Sequence, residues 1–473
     1  MKKAFSKALA SFVAFALLVG VGLLPSFAAP VTEAQWDAIW EEIDRTSSVV
    51  ALTPGSDETQ RNLAWQSDSG AKDPVVRLSR DAGMGGAAAF TGTSELNPGT
   101  GLLTNYVTVK GLAPETTYYY QCSTTLDRSA VYSFTTGPAG SLKAVMFSDI
   151  HVKSDEAAGV DEKSSGMIWN RALESALARE PDAKLILAAG DNANEGKPRE
   201  YLGLFAPPAL QGIPLAACIG NHDKKAFHFK YYMNCPNAFE ARLGSLQASD
   251  YWFRYGNALF LVFDSTNGSA IDHFSFARKA CNANADAKWR IAMYHHDLHA
   301  TLLPVKDPEG FAQQLIFDPI MTYFDMDAVF SGHNHRYIRT HVMNHNLVTQ
   351  FIAGRDEVTD PRGMVYFGNT SVVHVSDGTT AGFNPENAFV FCEPGVVTYN
   401  VLTFEGGKLN VKACRVDDGA VVDELTIVKS ECNKPTRSPI NFPWYFGAVM
   451  PLTAVYALIA RINDSSMLQA TYQ

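Results

Sequence analysis

The feature that most constrains this chain is a set of five short apolar runs, each ending directly in Asp, Asn or His. Ala144-Val145-Met146 leads into Phe147-Ser148-Asp149-Ile150-His151, Leu185 to Ala189 into Gly190-Asp191-Asn192, and Leu215 to Ile219 into Gly220-Asn221-His222-Asp223. Trp289 to Met293 leads into Tyr294-His295-His296-Asp297, and Ala328-Val329-Phe330 into Ser331-Gly332-His333-Asn334-His335. Apolar runs this short, closed by turn residues, read as buried strands. Open α/β sheets bind ligands beyond the carboxyl ends of their strands, so these polar residues are set to meet at one sheet edge. A lone Gly-His-x-His string is more often a structural histidine pair. Five junctions, all with nitrogen or oxygen donors and none with cysteine, fit a dinuclear metal site.

The rest of the chain supplies a frame for such an edge. From residue 141, strands alternate with helical stretches such as Gly166 to Arg179, a βαβ rhythm. Toward the end, Val396 to Val401, Leu409 to Ala413 and Leu425 to Val428 read as antiparallel strands of a second sheet. The loops after Asp223 and Asp264 are long and rich in Asn, Phe, Tyr and Lys, a composition suited to substrate entry. Upstream, residues 29–47 form a short helical lead-in, with Trp36, Ile39, Trp40 and Ile43 at helical spacing. Residues 48–137 change to short alternating runs, among them Asn62 to Gln66, Val75 to Ser79, Asn105 to Val109 and Tyr118 to Cys122, which predict a β-sandwich. Gly137-Pro138-Ala139-Gly140 is the linker to the second unit.

Composition narrows the functions. A hydrophobic fraction of 46% over 473 residues gives a sizeable core and room for two domains. The formal net charge of -10 argues against a nucleic-acid footprint, which needs a basic stripe. It does not exclude phosphorylated substrates, because bound cations bring their own positive charge. Residues 1–28 read as an export signal: Lys2 and Lys3, the apolar run Ala8 to Leu24, then Ser26-Phe27-Ala28 at the cleavage site. A secreted or cell-surface protein is therefore expected, and export permits disulfides among Cys235, Cys281, Cys392, Cys414 and Cys432, with Cys218 a buried free thiol. In the tail, residues 431–473, the segment 442–460 carries no formal charge. It is either a membrane anchor or a docked or interfacial helix; Pro443, Pro451 and the basic residues preceding it weigh against the anchor.

The ordered set D-x-H, G-D, G-N-H-D, H and G-H-x-H resembles the calcineurin-like metallophosphoesterase superfamily across residues 141–430. Gly111-Leu112-Ala113-Pro114-Glu115-Thr116-Thr117-Tyr118 is similar to a corner of fibronectin type III modules. Thr53-Pro54-Gly55-Ser56 and Tyr132-Ser133-Phe134-Thr135-Thr136 are similar to the amino-terminal domain of purple acid phosphatases. The resemblance implies an α/β fold, a two-sheet α/β/β/α metallophosphoesterase sandwich, preceded by an all-β fibronectin-III-like sandwich. It implies two metal ions, drawn from Fe, Mn or Zn. Asp149, His151 and His335 would bind the first, Asn221, His295 and His333 the second, with Asp191 bridging. His295 is preferred to His296 because it aligns with the histidine that directly follows the strand in the family.

The implied activity is hydrolysis of a small-molecule phosphate ester, monoesters favoured, by attack of metal-bound hydroxide. His222 beside Asn221 would serve as hydrogen-bond donor and general acid, Asp223 would orient it, and His296 and His299 would line the substrate pocket. A phosphodiesterase acting on cyclic nucleotides or phospholipid-type substrates is one rival, and a surface-binding protein with a relic metal domain another. One position departs from the purple acid phosphatase pattern: Asn194 stands where that family has its iron-binding tyrosine, so the metal identity is open.

Overall fold

A computed structural model describes residues 30–154, 159–243, 250–299, 308–373, 388–391, 396–430 and 444–471. The export segment 1–28, Cys392, Cys432 and the tail through residue 443 lie outside the described residues.

Two seven-stranded sheets face each other across an apolar layer. The first runs Leu215–Ala217, Leu185–Ala188, Leu142–Phe147, Thr398–Glu405, Lys408–Arg415, Val421–Val428, Glu357–Thr359. The second runs Tyr251–Tyr255, Ala258–Val262, Trp289–Met293, Ala328–Ser331, Val365–Gly368, Ile338–Thr340, Ala388–Phe391. Between them pack Met146, Leu187, Leu402 and Leu409 from one side and Phe253, Phe260, Ile291 and Phe330 from the other. The strands that carry ligands are parallel and nearly level. Phe147 pairs with Ala188 and Ala188 with Ala217, while Met293 pairs with Phe330. Because register is level, the residues just past these strands emerge together at one edge.

Helices cover the outer faces, completing the α/β/β/α order. Helix α1 (Glu33–Thr46) starts at a Thr32/Gln35 capping box and buries Trp36, Trp40 and Ile43. The Trp36 indole donates to the Lys163 carbonyl at 2.9 Å, fixing α1 to helix α2 (Glu162–Arg179). Trp169 of α2 meets Phe147 edge to face at 4.9 Å, so the strand end just before Ser148-Asp149 is held from behind. Helix α3 (Pro198–Phe205) shares that layer; α4 (Ala270–Ala283) and α5 (Pro308–Tyr323) cover the second sheet.

Two four-stranded sheets built from residues 51–135 form the amino-terminal sandwich around Leu52, Leu63, Trp65, Val76, Val107 and Tyr120. The last helix, α6 (Met450–Thr471), docks on α4. Just before it, the buried Tyr445 hydroxyl donates to the Ile316 carbonyl at 3.1 Å, and Arg461 reaches the Ala241 carbonyl at 2.9 Å. Its outer side leaves Leu452, Val455, Leu458, Ile459 and Ile462 exposed. Among the described residues, no helix is long and apolar enough to cross a membrane.

Cys218 is the buried free thiol expected, while the disulfide expectation needs correction for Cys235, Cys281 and Cys414, which are free thiols, as is Cys122. Cys281 lies in the apolar layer outside the second sheet and Cys414 in that outside the first, against which Cys235 also packs, and none of the three forms a disulfide.

Candidate metal centre

The seven side chains singled out by the strand-end pattern lie together. His151 Nε2 and His335 Nε2 are 3.2 Å apart, and Asp149 Oδ1 is 3.3 Å from the His335 nitrogen. On the other side, Asn221 Oδ1 lies 3.0 Å from His295 Nε2 and 3.1 Å from His333 Nδ1. Between the two groups, Asp191 Oδ2 is 3.2 Å from His295 Nε2 and 3.7 Å from His151 Nε2. Donor atoms about 3 Å apart are what a common ion with bonds near 2.1 Å requires of its neighbouring ligands.

Backbone geometry says the same. Asp149 (φ 49°), His151 (49°), Asp191 (49°), His333 (72°) and His335 (55°) all sit in the left-handed region. Such conformations cost non-glycine residues free energy and collect at functional sites. Glycines give the ligands room: a Cβ on Gly332 would lie 1.9 Å from Ser148 Oγ and 2.4 Å from Asp149 Oδ2. One on Gly220 would lie 2.1 Å from Asp191 Oδ1.

The electrostatics are those of a cation trap. Asp149 and Asp191 are buried, and among the described residues their ion-pair partners are all imidazoles, with no Lys or Arg. Burial opposes a charge on His295, yet Asp191 outweighs it and raises its pKa to about 10. Burial lowers His151 to about 3 and His333 to about 4, leaving them neutral and able to ligate. Two buried carboxylates beside the neutral imidazoles of His151 and His333, with a positive charge drawn onto His295 in the absence of an ion, suit divalent cations, so the donor set fits the implied metals.

Hydrogen bonds outside the cluster fix which ring nitrogen faces it. His295 Nδ1 donates to the Ala189 carbonyl at 2.9 Å, turning Nε2 inward. His222 Nδ1 donates to the Asn194 carbonyl at 2.8 Å, so its Nε2 faces His151 and Asp191, with which it forms a third metal-capable group. Ser265 Oγ accepts the backbone N–H of His295 and of His296, each at 3.2 Å, and lies 2.8 Å from His296 Nδ1. With its lone pairs engaged, the Ser265 hydroxyl donates to Nδ1 and leaves the His296 proton on Nε2. The His296 ring lies 4.8 Å from that of His333, beside the cluster rather than in it.

One expectation changes. Asp223 does not orient His222. Its buried carboxylate instead accepts from Gly220 N (2.9 Å), Asn192 N (3.1 Å), Asn192 Nδ2 (3.0 Å), Ala193 N (2.9 Å) and the Tyr201 hydroxyl (3.1 Å). It ties the Asp191 loop to the Asn221 loop, because the short turn after Gly220 points it back under the strand ends. Burial, with the charge of Asp191, raises its pKa to about 6. His299 is buried against the Tyr366 ring at 4.2 Å and belongs to none of the metal-capable groups of the described residues. Sequence reasoning passed over Ser265, although Phe263-Asp264-Ser265 after the strand Ala258–Val262 is a sixth junction of the same kind.

Residues 142–337 match the family profile described as Calcineurin-like phosphoesterase, and residues 48–136 that described as Purple acid Phosphatase, N-terminal domain. The chain carries a calcineurin-like phosphoesterase domain behind a purple acid phosphatase amino-terminal domain. A purple acid phosphatase from yellow lupin (Lupinus luteus) seeds shares the fold, with a TM-score of 0.66 at 16% identity over 84% of this chain and 77% of that one. This chain is also similar to a "Probable cyclic nucleotide phosphodiesterase" of Psychrobacter arcticus, 26% identical over 42% of this chain and 75% of that protein. A 3′,5′-cyclic adenosine monophosphate phosphodiesterase of Pseudomonas aeruginosa is 22% identical over 43% of this chain and 74% of that protein.

Proposed function

We propose that this calcineurin-like phosphoesterase is an exported hydrolase of small phosphate esters with a dinuclear centre, monoesters first among its substrates. The observation that carries the reading is Asp191, whose Oδ2 stands between His151 Nε2 and His295 Nε2 as a carboxylate shared by two ions would. Asp149, His151 and His335 would hold one cation, and Asn221, His295 and His333 the other; Fe, Mn and Zn all suit these donors. Such a pair, when bound, supplies Lewis acidity toward a phosphoryl group and an activated water.

The chain's own side chains position and move protons. His222, held by the Asn194 carbonyl, presents Nε2 to hydrogen-bond a phosphoryl oxygen or protonate a leaving-group oxygen. His296 offers Nε2–H from beside His333, a donor suited to the dianion of a monoester. The diesterase reading is supported by the names of the two sequence relatives.

The test is hydrolysis of p-nitrophenyl phosphate and bis-p-nitrophenyl phosphate, read as p-nitrophenol release, and of 3′,5′-cyclic AMP, read as AMP formed, after reconstitution with Mn, Zn or Fe, with bound metal measured alongside. A higher kcat/KM on the monoester, lost by orders of magnitude in Asp191→Asn and His222→Ala, is expected. Preference for either diester transfers the assignment to the rival. Hydrolysis of none, or a metal-free protein, overturns it.

A further inference from the structure

The amino-terminal sandwich turns a polar face inward. Strand Arg61–Ser67 is buried along its whole length: Leu63 and Trp65 fill the sandwich core, while Asn62 and Gln66 point the other way. On the neighbouring strand Thr104, opposite Gln66, is also buried. That second face is closed to solvent, with Ala64 and Tyr106 packed in the same apolar layer as Tyr231 and Tyr232. It meets the backbone of residues 228–237, the segment that follows the Asn221–His222 loop.

Thr53 Oγ1 and Asn62 Nδ2 both donate to the Asn234 carbonyl at 2.9 Å. Asn234 answers by donating to the Leu63 carbonyl at 3.1 Å. Gln66 Nε2 (3.2 Å) and Thr104 Oγ1 (3.1 Å) converge on the Tyr231 carbonyl, and the Tyr106 hydroxyl reaches the Lys230 carbonyl at 3.0 Å. Buried carbonyls need partners, and here the sandwich provides them.

From that clamp a packed path leads to the metal centre. Tyr232 stacks on Tyr201 with ring centres 5.1 Å apart, and the Tyr201 hydroxyl donates to Asp223 Oδ1 at 3.1 Å. Asp223 in turn holds the Asn192, Ala193 and Gly220 backbone N–H groups, which flank ligands Asp191 and Asn221. Gly196 closes the back of the loop, since a Cβ there would lie 2.3 Å from the Asp223 carbonyl oxygen.

We propose that the amino-terminal sandwich is a positioning part of the metal centre, fixing the Asn221–His222 loop through its hydrogen-bonded grip on residues 230–234. Gln66, Thr104, Thr53 and Asn62 are the positioning residues. The activity readout rests on the function proposed above; the exchange readout does not.

The test is the full-length Gln66→Ala/Thr104→Val double variant, which strips both donors from the Tyr231 carbonyl. Hydrogen–deuterium exchange is expected to rise at least tenfold in residues 228–237 and also in 220–226, and kcat on the best ester to fall at least fivefold with KM within twofold. Gln66→Ala alone, a half-step that serves if the double variant does not fold, is expected to move both readouts in the same direction. Thr104→Ser keeps its donor and should behave as the native protein. If exchange rises in 228–237 while 220–226 stays protected, or if kcat stays within twofold, the proposal is overturned. A native protein that hydrolyses no ester defeats the functional reading, and the exchange comparison still decides this one.

Discussion

Replacing Asp223 separates a clamp from an orienting group, because the two roles predict different losses. In the structure the carboxylate serves five donors: Oδ2 takes Gly220 N, Asn192 N and Asn192 Nδ2, and Oδ1 takes Ala193 N and the Tyr201 hydroxyl. Asp223→Ala leaves the backbone N–H groups of Gly220, Asn192 and Ala193 without an acceptor, while Asn192 Nδ2 keeps the Cys218 carbonyl and the Tyr201 hydroxyl the Asp223 carbonyl. At about 1–3 kcal/mol for each buried orphan, reduced by relaxation and any entering water, the loss is about 3–5 kcal/mol. Asp223→Asn is milder. With its amide nitrogen in the Oδ1 place, the Tyr201 hydroxyl can turn and accept, and only Ala193 N–H faces a donor. That single opposed pair costs about 1–2 kcal/mol. Urea unfolding in the presence of chelator measures both losses free of any contribution from metal. The expected order is native, then Asn, then Ala, with kcat after reconstitution falling in the same order. If Asp223→Ala unfolds within about 0.5 kcal/mol of native and alters only the acid limb of the pH–rate profile, the clamp argument is wrong and the orienting role returns.

Three further outcomes are expected. Burial raises the Asp318 pKa from 3.8 to about 7, so between those values the folded protein keeps a proton that the unfolded chain has released. Stability from this group therefore falls as pH rises through that window; Asp318→Asn, which can still accept from Tyr366 and Asn346, should be more stable than native by roughly 2–4 kcal/mol at pH 8 and no more stable at pH 4, as read by thermal unfolding. Gly332→Ala should abolish metal retention on dialysis, because its Cβ would displace Ser148 and Asp149, while far-ultraviolet circular dichroism stays native. Co-sedimentation with neutral lipid vesicles tests the outer face of α6: retention that is lost in the Val455→Asp/Ile459→Asp pair is expected, and sedimentation unaffected by that pair would refute a lipid role for the stripe.

Much of the architecture could be read before any coordinates, because a ligand at a sheet edge must directly follow a strand and so leaves a sharp boundary in the sequence. Asp149, Asp191, Asn221, His295 and His333 each stand within a few residues of an apolar run, and level register brings them together. What the sequence hid depends on contacts between distant segments. Asp223 looks like any turn aspartate until its partners at 192, 193 and 201 are known. Asn62, Gln66 and Thr104 alternate with apolar residues as a solvent-facing row would, yet they are buried against residues 230–234. Ser265 is a short polar residue at a loop start, and only its distance to His296 gives it a role. The uncharged stretch near the end has span-like composition, but packing on α4, with Tyr445 buried and Arg461 reaching across to Ala241, decides its placement.

The left-handed backbone at Asp149, His151, Asp191, His333 and His335 restricts how this centre could be retuned for another cation. A designer wishing to install Glu or Cys at these places must first satisfy the main chain, since longer or branched side chains lose roughly 1–2 kcal/mol per residue in that conformation. Asn and Asp are the replacements that tolerate it best. The repertoire of donors is thus narrowed by dihedral angles before coordination chemistry has any say, and change of metal preference is easier at Asn221 and His295, whose backbones carry no such constraint.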